Sequence, residues 1–138
     1  MYLLDTNVVS EFRKAGTGRI SKRVEQWAEG ISANSMFISV ISIFELEMGI
    51  LQIERRDKKQ GSVLRKWLNK NVLGTFSERV LPIDTAVAQR CASIHVPNPK
   101  SERDAMIAAT AIEHRMTIVT RNVSDFSQSG VKIFDPWA

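Results

Sequence analysis

The sequence predicts an α/β fold in which a central, mostly parallel β-sheet is flanked by α-helices. Short apolar runs alternate along the chain with longer segments in which apolar residues recur every three or four positions. The chain has 138 residues, 43% hydrophobic and 25% charged, as expected for one globular domain. No internal repeat, low-complexity tract or long linker divides it, so we expect a single domain over residues 1–138.

Strands are predicted where apolar residues run together over a few positions only. These runs are Tyr2 to Leu4, Met36 to Val40, Val80 to Ile83, Thr117 to Val119 and Val131 to Phe134. Such lengths are typical of strands and too short for helices. Helical segments between successive runs favour parallel pairing, because parallel strands need a crossover connection.

Helical spacing is clearest after the second strand and before the fourth. The two series are Ile43, Leu46, Ile50 and Ile53, then Met106, Ala109, Ala111 and Ile112. Between them, the segment ERRDKKQGSVLRKWLNKN predicts a helical insertion that precedes the third strand. Its apolar stripe would comprise Val63, Leu64, Trp67 and Leu68. In residues 96–103, Pro97 and Pro99 end a helix, and Ser101 is a candidate cap for the next one.

Cysteine and histidine usage excludes several kinds of site. Cys91 is the single cysteine, so no internal disulfide forms, and we expect it in the core. His95 and His114 have no thiolates nearby, which excludes a Cys/His zinc site, and both are expected at the surface or at helix ends. The chain starts without a signal-peptide pattern, and its longest apolar run, residues 36–44, is too short to span a membrane. These features predict a cytoplasmic protein without a membrane partner.

Three carboxylates flank the predicted strands, where an acid has no packing role. Asp5 ends the first run, Glu45 lies five residues beyond Val40, and Asp104 opens the helix before the fourth strand. Open parallel sheets place their functional sites at the carboxyl ends of the strands. We therefore expect Asp5, Glu45 and Asp104 to meet at this edge.

Each acid also has a purely structural interpretation. A carboxylate in the first turn of a helix commonly stabilises the helix dipole, and Asp5 alone could cap the helix that follows it. A shared site is favoured by Glu45, which interrupts the apolar series ISVISIF although Glu47 is available as a solvent-facing charge.

Converging carboxylates need a counter-charge, because they cannot all stay ionised in a site of reduced dielectric. With no histidine or cysteine near them, the oxygen ligands select Mg²⁺, with Mn²⁺ as a substitute. These ions serve phosphodiester hydrolysis, in which the metal activates a water and stabilises the leaving oxygen. No GxxxxGK[ST], GxGxxG, HExxH or GxSxG motif is present to suggest another chemistry.

The charge balance is mildly basic, at a formal +4 with a pI of about 9.5, which suits a nucleic-acid partner without requiring one. Twelve of the 19 basic residues lie between Arg13 and Lys70. The candidate contacts to an RNA backbone are Arg55, Arg56, Lys58, Lys59, Arg65, Lys66 and Lys70. A solvated helix face explains this stretch equally well.

Four blocks resemble PIN-domain ribonucleases of the VapC toxin type, including the closely similar FitB group. They are LDTN followed by VVSE, ISVISIFELEMGI, ERDAMIAATAIEHRMTIVTRNVSDF and IFDPWA, and they occur in order from Met1 to Ala138. The resemblance implies a PIN-like fold and a Mg²⁺-dependent endoribonuclease. It also implies that Asp5 and Asp104 are the principal metal ligands, while Glu45 completes the pocket and helps to position the attacking water.

The resemblance extends to residues around these acids. It implies that Thr6, Asn7 and Thr120 hydrogen-bond the carboxylates, and Arg121 is a candidate for contacting the scissile region. The family often has a fourth acid where this chain has Asn122, so the resemblance predicts at most one tight metal site. Asp125 could partly replace the missing acid.

The resemblance also implies partners. These are an RNA substrate, a cognate antitoxin that inhibits the enzyme and a second copy of the chain in a homodimer. DNA would be contacted only through the antitoxin. Phe44, Met48, Leu51 and Trp67 could supply a dimer or antitoxin surface, although their spacing fits core positions as well.

Three other functions remain open at this point. A receiver-like phosphoacceptor module expects adjacent acids after the first strand and a lysine after the last, whereas this chain has only Asp5 and ends in FDPWA. A phosphatase with Asp5 as nucleophile expects an acid at position 7, which is Asn7 here. A PIN-like domain that binds RNA without cutting it would keep the fold but lack turnover.

Overall fold

The fold is built on five short parallel strands. They are β1 (Tyr2–Leu4), β2 (Met36–Ser39), β3 (Val80–Leu81), β4 (Thr117–Val119) and β5 (Ile133–Phe134). Their order in the sheet is β3-β2-β1-β4-β5, and every neighbouring pair is parallel. The predicted α/β class is confirmed. All five strands therefore end at one edge of the sheet, with β1 at its centre.

A computed structural model describes all residues from 1 to 138. Its helices are α1 (Thr6–Phe12), α2 (Lys22–Glu29), α3 (Val40–Arg56), α4 (Lys58–Lys66), α5 (Leu73–Thr75), α6 (Thr85–Ile94) and α7 (Glu102–Glu113). A π-helical segment, Trp67–Val72, joins α4 to α5. The predicted insertion between the second and third strands is therefore present. No helix combines the length and the apolar character that crossing a bilayer requires.

Three strands are shorter than their apolar runs, and one of them, β5, begins only at Ile133. The β2 strand ends at Ser39, whose hydroxyl accepts a hydrogen bond from the Ile41 amide, so Val40 already belongs to α3. The β3 strand ends at Leu81, because Pro82 has no amide hydrogen to continue the ladder. Both endings turn the chain at the carboxyl edge.

The core lies on both faces of the sheet because side chains alternate along each strand. Leu4 packs on one face with the α1 residues Val8 and Val9, while Leu3 packs on the other with Ile107 of α7. All of these side chains are at most 1% exposed. The two faces thus fix α1 and α7 beside the central strand.

Several local predictions are confirmed, and two are corrected. Cys91 is buried, and His95 and His114 are the C-cap residues that directly follow α6 and α7. Ser101 precedes α7 as expected, but its side chain makes no capping hydrogen bond. The predicted apolar stripe of the insertion is only partly confirmed. Val63 is 55% exposed, whereas its neighbour in the stripe, Leu64, is buried.

Gly61 of α4 should be required for the packing of α4 on α3. A Cβ atom at this position would lie 2.5 Å from Cγ and 2.8 Å from Cα of Glu54, so the helices would have to separate. We expect Gly61→Ala to lower the free energy of unfolding by about 1–3 kcal/mol, the usual cost of overpacking. Chemical denaturation measures the change.

Gly49 provides the matched control, since a Cβ atom there meets nothing within 4 Å. Gly49→Ala in the middle of α3 should stabilise the protein by up to about 1 kcal/mol through helix propensity. Equal stability of the two variants would contradict the close approach at Gly61.

Candidate active site at the carboxyl edge of the sheet

Asp5 lies at the centre of the carboxyl edge, between β1 and α1. Its side chain is only 7% exposed and caps α1 by accepting a hydrogen bond from the Thr6 amide at 2.8 Å. Its second oxygen accepts a hydrogen bond from the Thr120 hydroxyl, also at 2.8 Å. The capping interpretation of Asp5 is therefore confirmed, and hydrogen bonds hold both carboxylate oxygens in place.

Glu45 is the sixth residue of α3 and faces Asp5 across the start of α1. The Thr6 hydroxyl donates a hydrogen bond of 2.6 Å to Glu45 Oε1. The buried hydroxyl of Ser42 lies 2.9 Å from the same Thr6 oxygen. Thr6 therefore joins the two acids, with its amide on Asp5 and its hydroxyl on Glu45.

Asp104 completes the group from the first turn of α7. Burial raises the pKa of its carboxyl, and the negative charges of Asp125 and Glu45 raise it further. The pKa of Asp5 is likewise raised, first by burial and then by the charges of Asp104 and Glu45. Hydrogen bonds from Thr120 and Thr6 partly offset this shift. The charge of Glu45 thus acts on both Asp5 and Asp104, and the charge of Asp125 acts on Asp104.

Thr120 connects the end of β4 to the acids. Its buried oxygen accepts hydrogen bonds from the Asn122 amide at 3.0 Å and from Asn7 Nδ2 at 3.4 Å. Asn122 is exposed and makes this contact through its backbone, while Asn7 Oδ1 is buried without a partner. The predicted polar residues therefore surround Asp5, but Asn7 reaches it only through Thr120.

Arg121 follows Thr120 and is exposed. Its guanidinium carbon lies 5.3 Å from the centre of the Trp137 ring, which supports the side chain by a cation–π contact. Burial raises the pKa of the Glu11 carboxyl in α1. Hydrogen bonds from Ser21 and Lys14, together with the positive charges of Lys14 and Arg121, outweigh burial and lower this pKa below its ordinary value. The charge of Arg121 thus acts on the carboxyl-terminal part of α1.

Arg103 is a site residue that the sequence analysis missed. Its Nη1 atom lies 3.6 Å from Glu45 Oε2, and its guanidinium carbon lies 5.8 Å from the centre of the Phe44 ring. The Arg103 charge also lowers the pKa of Asp104, although less than burial and the neighbouring acids raise it. Its position next to Asp104 in the sequence was the one available signal.

The lysine- and arginine-rich stretch occupies the end of α3 and the length of α4. Arg55 and Arg56 end α3 about 15 Å along the helix from Glu45, at a rise of about 1.5 Å per residue. Arg65 binds Glu47 at 2.6 Å and Glu54 at 3.1 Å, so its guanidinium joins α4 to α3. Lys58, Lys59 and Lys66 are exposed on α4. None of the seven cations forms an ion pair with Asp5, Glu45 or Asp104, and their contact with RNA stays a prediction.

The donor chemistry fits a divalent cation. The available ligands are carboxylate oxygens, together with the unpartnered carbonyl oxygen of Asn7, and such ligands suit Mg²⁺ or Mn²⁺. No three acidic, histidine or cysteine side chains converge closely enough to share one ion in this arrangement. Burial is the main reason why the pKa values of Asp5 and Asp104 are raised, and neighbouring carboxylate charges raise them further, so a bound cation would favour the ionised forms.

An all-parallel sheet with carboxylates from three chain segments at its carboxyl edge defines an α/β domain with an acidic site. The family model for the PIN domain matches residues 2–130. The chain therefore belongs to the PIN domain family, as the sequence motifs predicted.

Two curated relatives match the chain over nearly its full length. Toxin FitB from Neisseria gonorrhoeae is 33% identical, with 99% of each chain covered. The VapC ribonuclease Y4jK from Sinorhizobium fredii is 31% identical, with 99% of this chain and 98% of the relative covered. Both names agree with the resemblance found in the sequence.

Solved structures show the same fold. The crystal structure of FitAcB from Neisseria gonorrhoeae matches with a TM-score of 0.88 and 32% identity over 99% of each chain. A structure of FitAB bound to the IR36 DNA fragment matches with a TM-score of 0.88 and 31% identity, covering 100% of this chain and 96% of that one. The arrangement of strands and helices is thus shared along the whole length.

Removing one negative charge from the site should stabilise the metal-free protein in a pH-dependent way. An acid with a raised pKa in the folded state binds its proton more tightly there than in the unfolded chain. Its ionisation therefore costs stability as the pH rises from the ordinary value of 3.8 through the folded value. We expect Asp104→Asn to raise the free energy of unfolding by less than about 1 kcal/mol at neutral pH, since the group is partly exposed.

The gain should vanish below pH 3.8, where both proteins are neutral at this position. Denaturation curves in EDTA at several pH values measure the difference. Glu29→Gln at the exposed end of α2 controls for the loss of one negative charge elsewhere. A pH-independent gain, or the same gain in the control, would argue against repulsion at the site.

Proposed function

We propose that this protein is the toxin of a type II toxin–antitoxin pair and acts as a Mg²⁺-dependent endoribonuclease. The observation that carries the proposal is the hydrogen-bonded group at the carboxyl edge, in which Thr6 binds both Asp5 and Glu45 while Asp104 lies in the first turn of α7. Full-length relatives named as a toxin and as a ribonuclease support it. The substrate class, RNA, would place its action in the cytoplasm.

Asp5 and Asp104 would hold the metal ion, with Glu45 as the third carboxylate and Mn²⁺ as an alternative ion. When bound, the divalent cation supplies positive charge that lowers the pKa of a water and stabilises the leaving oxygen. The Thr6 and Thr120 hydrogen bonds keep the Asp5 oxygens aimed at the site. Glu45, which accepts a hydrogen bond from the Thr6 hydroxyl, would orient the attacking water and accept its proton.

Substrate positioning would fall to cations beside the acids. Arg121 is held by Trp137 at the same edge, so its guanidinium can hydrogen-bond the scissile phosphate in a fixed orientation. Arg103 pairs with Glu45 from the opposite side. These two arginines offset the repulsion between carboxylates and an incoming phosphate.

Inhibition by an antitoxin is the regulatory part of the proposal. An arginine from the antitoxin, placed among the carboxylates, would neutralise them and displace the metal without a conformational change. The match to FitAB bound to DNA supports a DNA-binding partner of this kind. Phe44 and Leu51 are 53% and 52% exposed on α3, and we propose this face for the homodimer. Met48 and Trp67 are half-buried.

Asp5→Asn and Asp104→Asn should each reduce RNA cleavage by at least about 100-fold, because each removes a ligand for the ion. The purified protein, freed of antitoxin, is incubated with total cellular RNA in Mg²⁺ or in EDTA, and new 5′ ends are mapped. Discrete cuts lost in EDTA and in both variants are the expected result. Arg55→Ala, distant from the site, controls for nonspecific effects. No cutting by the folded, Mg²⁺-loaded protein would leave a binding module as the function.

The substitution of an acid by Asn122 should limit the number of tightly bound ions. We expect at most one Mn²⁺ per chain in calorimetric titration without RNA. Asn122→Asp should add a second, weaker binding event, since it supplies the missing charge near Asp104 and Asp125. Two tight ions in the wild-type protein would overturn this view of the site.

A further inference from the structure

A second basic surface lies on the loop that joins α1 to α2. Residues 13–24 contain Arg13, Lys14, Arg19, Lys22 and Arg23, with no acid among them. Arg13, Lys14, Thr17 and Arg19 line an open cavity of about 400 Å³. We refer to these four residues as the loop cup.

The loop cup is ordered by its own hydrogen bonds. The Thr17 hydroxyl donates a hydrogen bond to the Lys14 carbonyl and accepts one from the Arg19 amide at 3.2 Å. Gly16 and Gly18 on either side have φ angles of +80° and +77°, in the left-handed region that glycine adopts without strain. The cations are therefore presented on a defined backbone.

Glu11 connects the loop cup to the rest of the protein through hydrogen bonds. Its buried carboxylate accepts hydrogen bonds from Lys14 Nζ at 3.1 Å and from the Ser21 amide at 2.8 Å. Lys14 is thereby paired, whereas Arg13 and Arg19 take part in none of the ion pairs of the structure. Two exposed guanidinium groups remain available on this surface.

The loop cup is continuous with the acidic site. Thr120 binds Asp5, the next residue is Arg121, and the charge of Arg121 acts on Glu11, which holds Lys14. Along α1, the distance from Asp5 to Arg13 is about 12 Å, at about 1.5 Å per residue. The loop cup therefore lies one helix, α1, away from Asp5, and Arg121 follows the threonine that binds Asp5.

We propose that Arg13 and Arg19 of the loop cup bind the phosphate backbone of single-stranded RNA on its way to or from the acidic site. This inference rests on the proposed ribonuclease function. A concave surface with unpaired arginines suits a flexible phosphate chain, because backbone contacts require charge without base readout. The stretch near Arg55 and Arg56 is the competing basic surface, and it lies at the far end of α3.

The test compares two double variants that each remove two exposed arginines, namely Arg13→Ala/Arg19→Ala and Arg55→Ala/Arg56→Ala. Binding of a labelled, mixed-sequence single-stranded RNA is measured by fluorescence anisotropy in Mg²⁺, in an Asp5→Asn background that prevents cleavage. We expect the loop variant to bind at least about 5-fold more weakly, with a salt slope reduced by about 0.7 for each lost phosphate contact. The α3 variant should bind like its parent.

In the active background, the loop variant should raise KM while kcat stays close to the wild-type value, because the loop cup does not touch the reacting atoms. Unchanged RNA affinity and KM in the loop variant would overturn the proposal. Loss of antitoxin binding alongside unchanged RNA affinity would instead assign the loop cup to the protein partner. If the wild-type protein binds RNA through the loop but cuts none, the ribonuclease proposal fails while this surface stands.

Discussion

The hydrogen-bonded, buried carboxylate of Asp5 is the feature on which the rest of the site depends. Its two oxygens are held by Thr6 and Thr120, which belong to α1 and to the end of β4. Since Thr6 also binds Glu45 and Thr120 also binds Asn7, the same contacts align the neighbouring polar groups. The parallel sheet makes this possible, because the ends of β1 and β4 lie side by side at one edge.

The arrangement has an energetic cost that the protein offsets only in part. Burial raises the pKa of Asp5, and the hydrogen bonds that lower it do not restore the ordinary value. Arg103 reduces the negative charge near Glu45, but this ion pair is partly exposed and is therefore screened by water. A site that must accept a cation cannot be fully neutralised by its own side chains, so residual repulsion is the expected condition of the metal-free state.

The sequence was sufficient to predict the sheet and the acids, because both depend on position along the chain. Apolar runs located the strands, and parallel topology then placed Asp5, Glu45 and Asp104 at one edge. Side-chain pairing was not predictable in this way. Arg65 resembled a free cation until the packing of α4 on α3 placed it between Glu47 and Glu54, and Arg103 gained its role only through the neighbouring turn of α3.

The same reasoning explains why charge counts misjudge the basic surfaces. The insertion that contains α4 has the densest run of lysines and arginines. Acidic residues lie on adjoining turns, however, and one of the arginines forms ion pairs that join α4 to α3. The loop after α1 has fewer cations but no acids within it, and Glu11 neutralises Lys14 alone. An RNA chain contacts cations one phosphate at a time, so the position of an unpaired cation relative to the acidic site matters more than the total charge of a segment. Arg121 follows Thr120, which binds Asp5, and the loop cup follows α1, the helix that Asp5 caps, whereas Arg55 and Arg56 end α3 where the insertion begins.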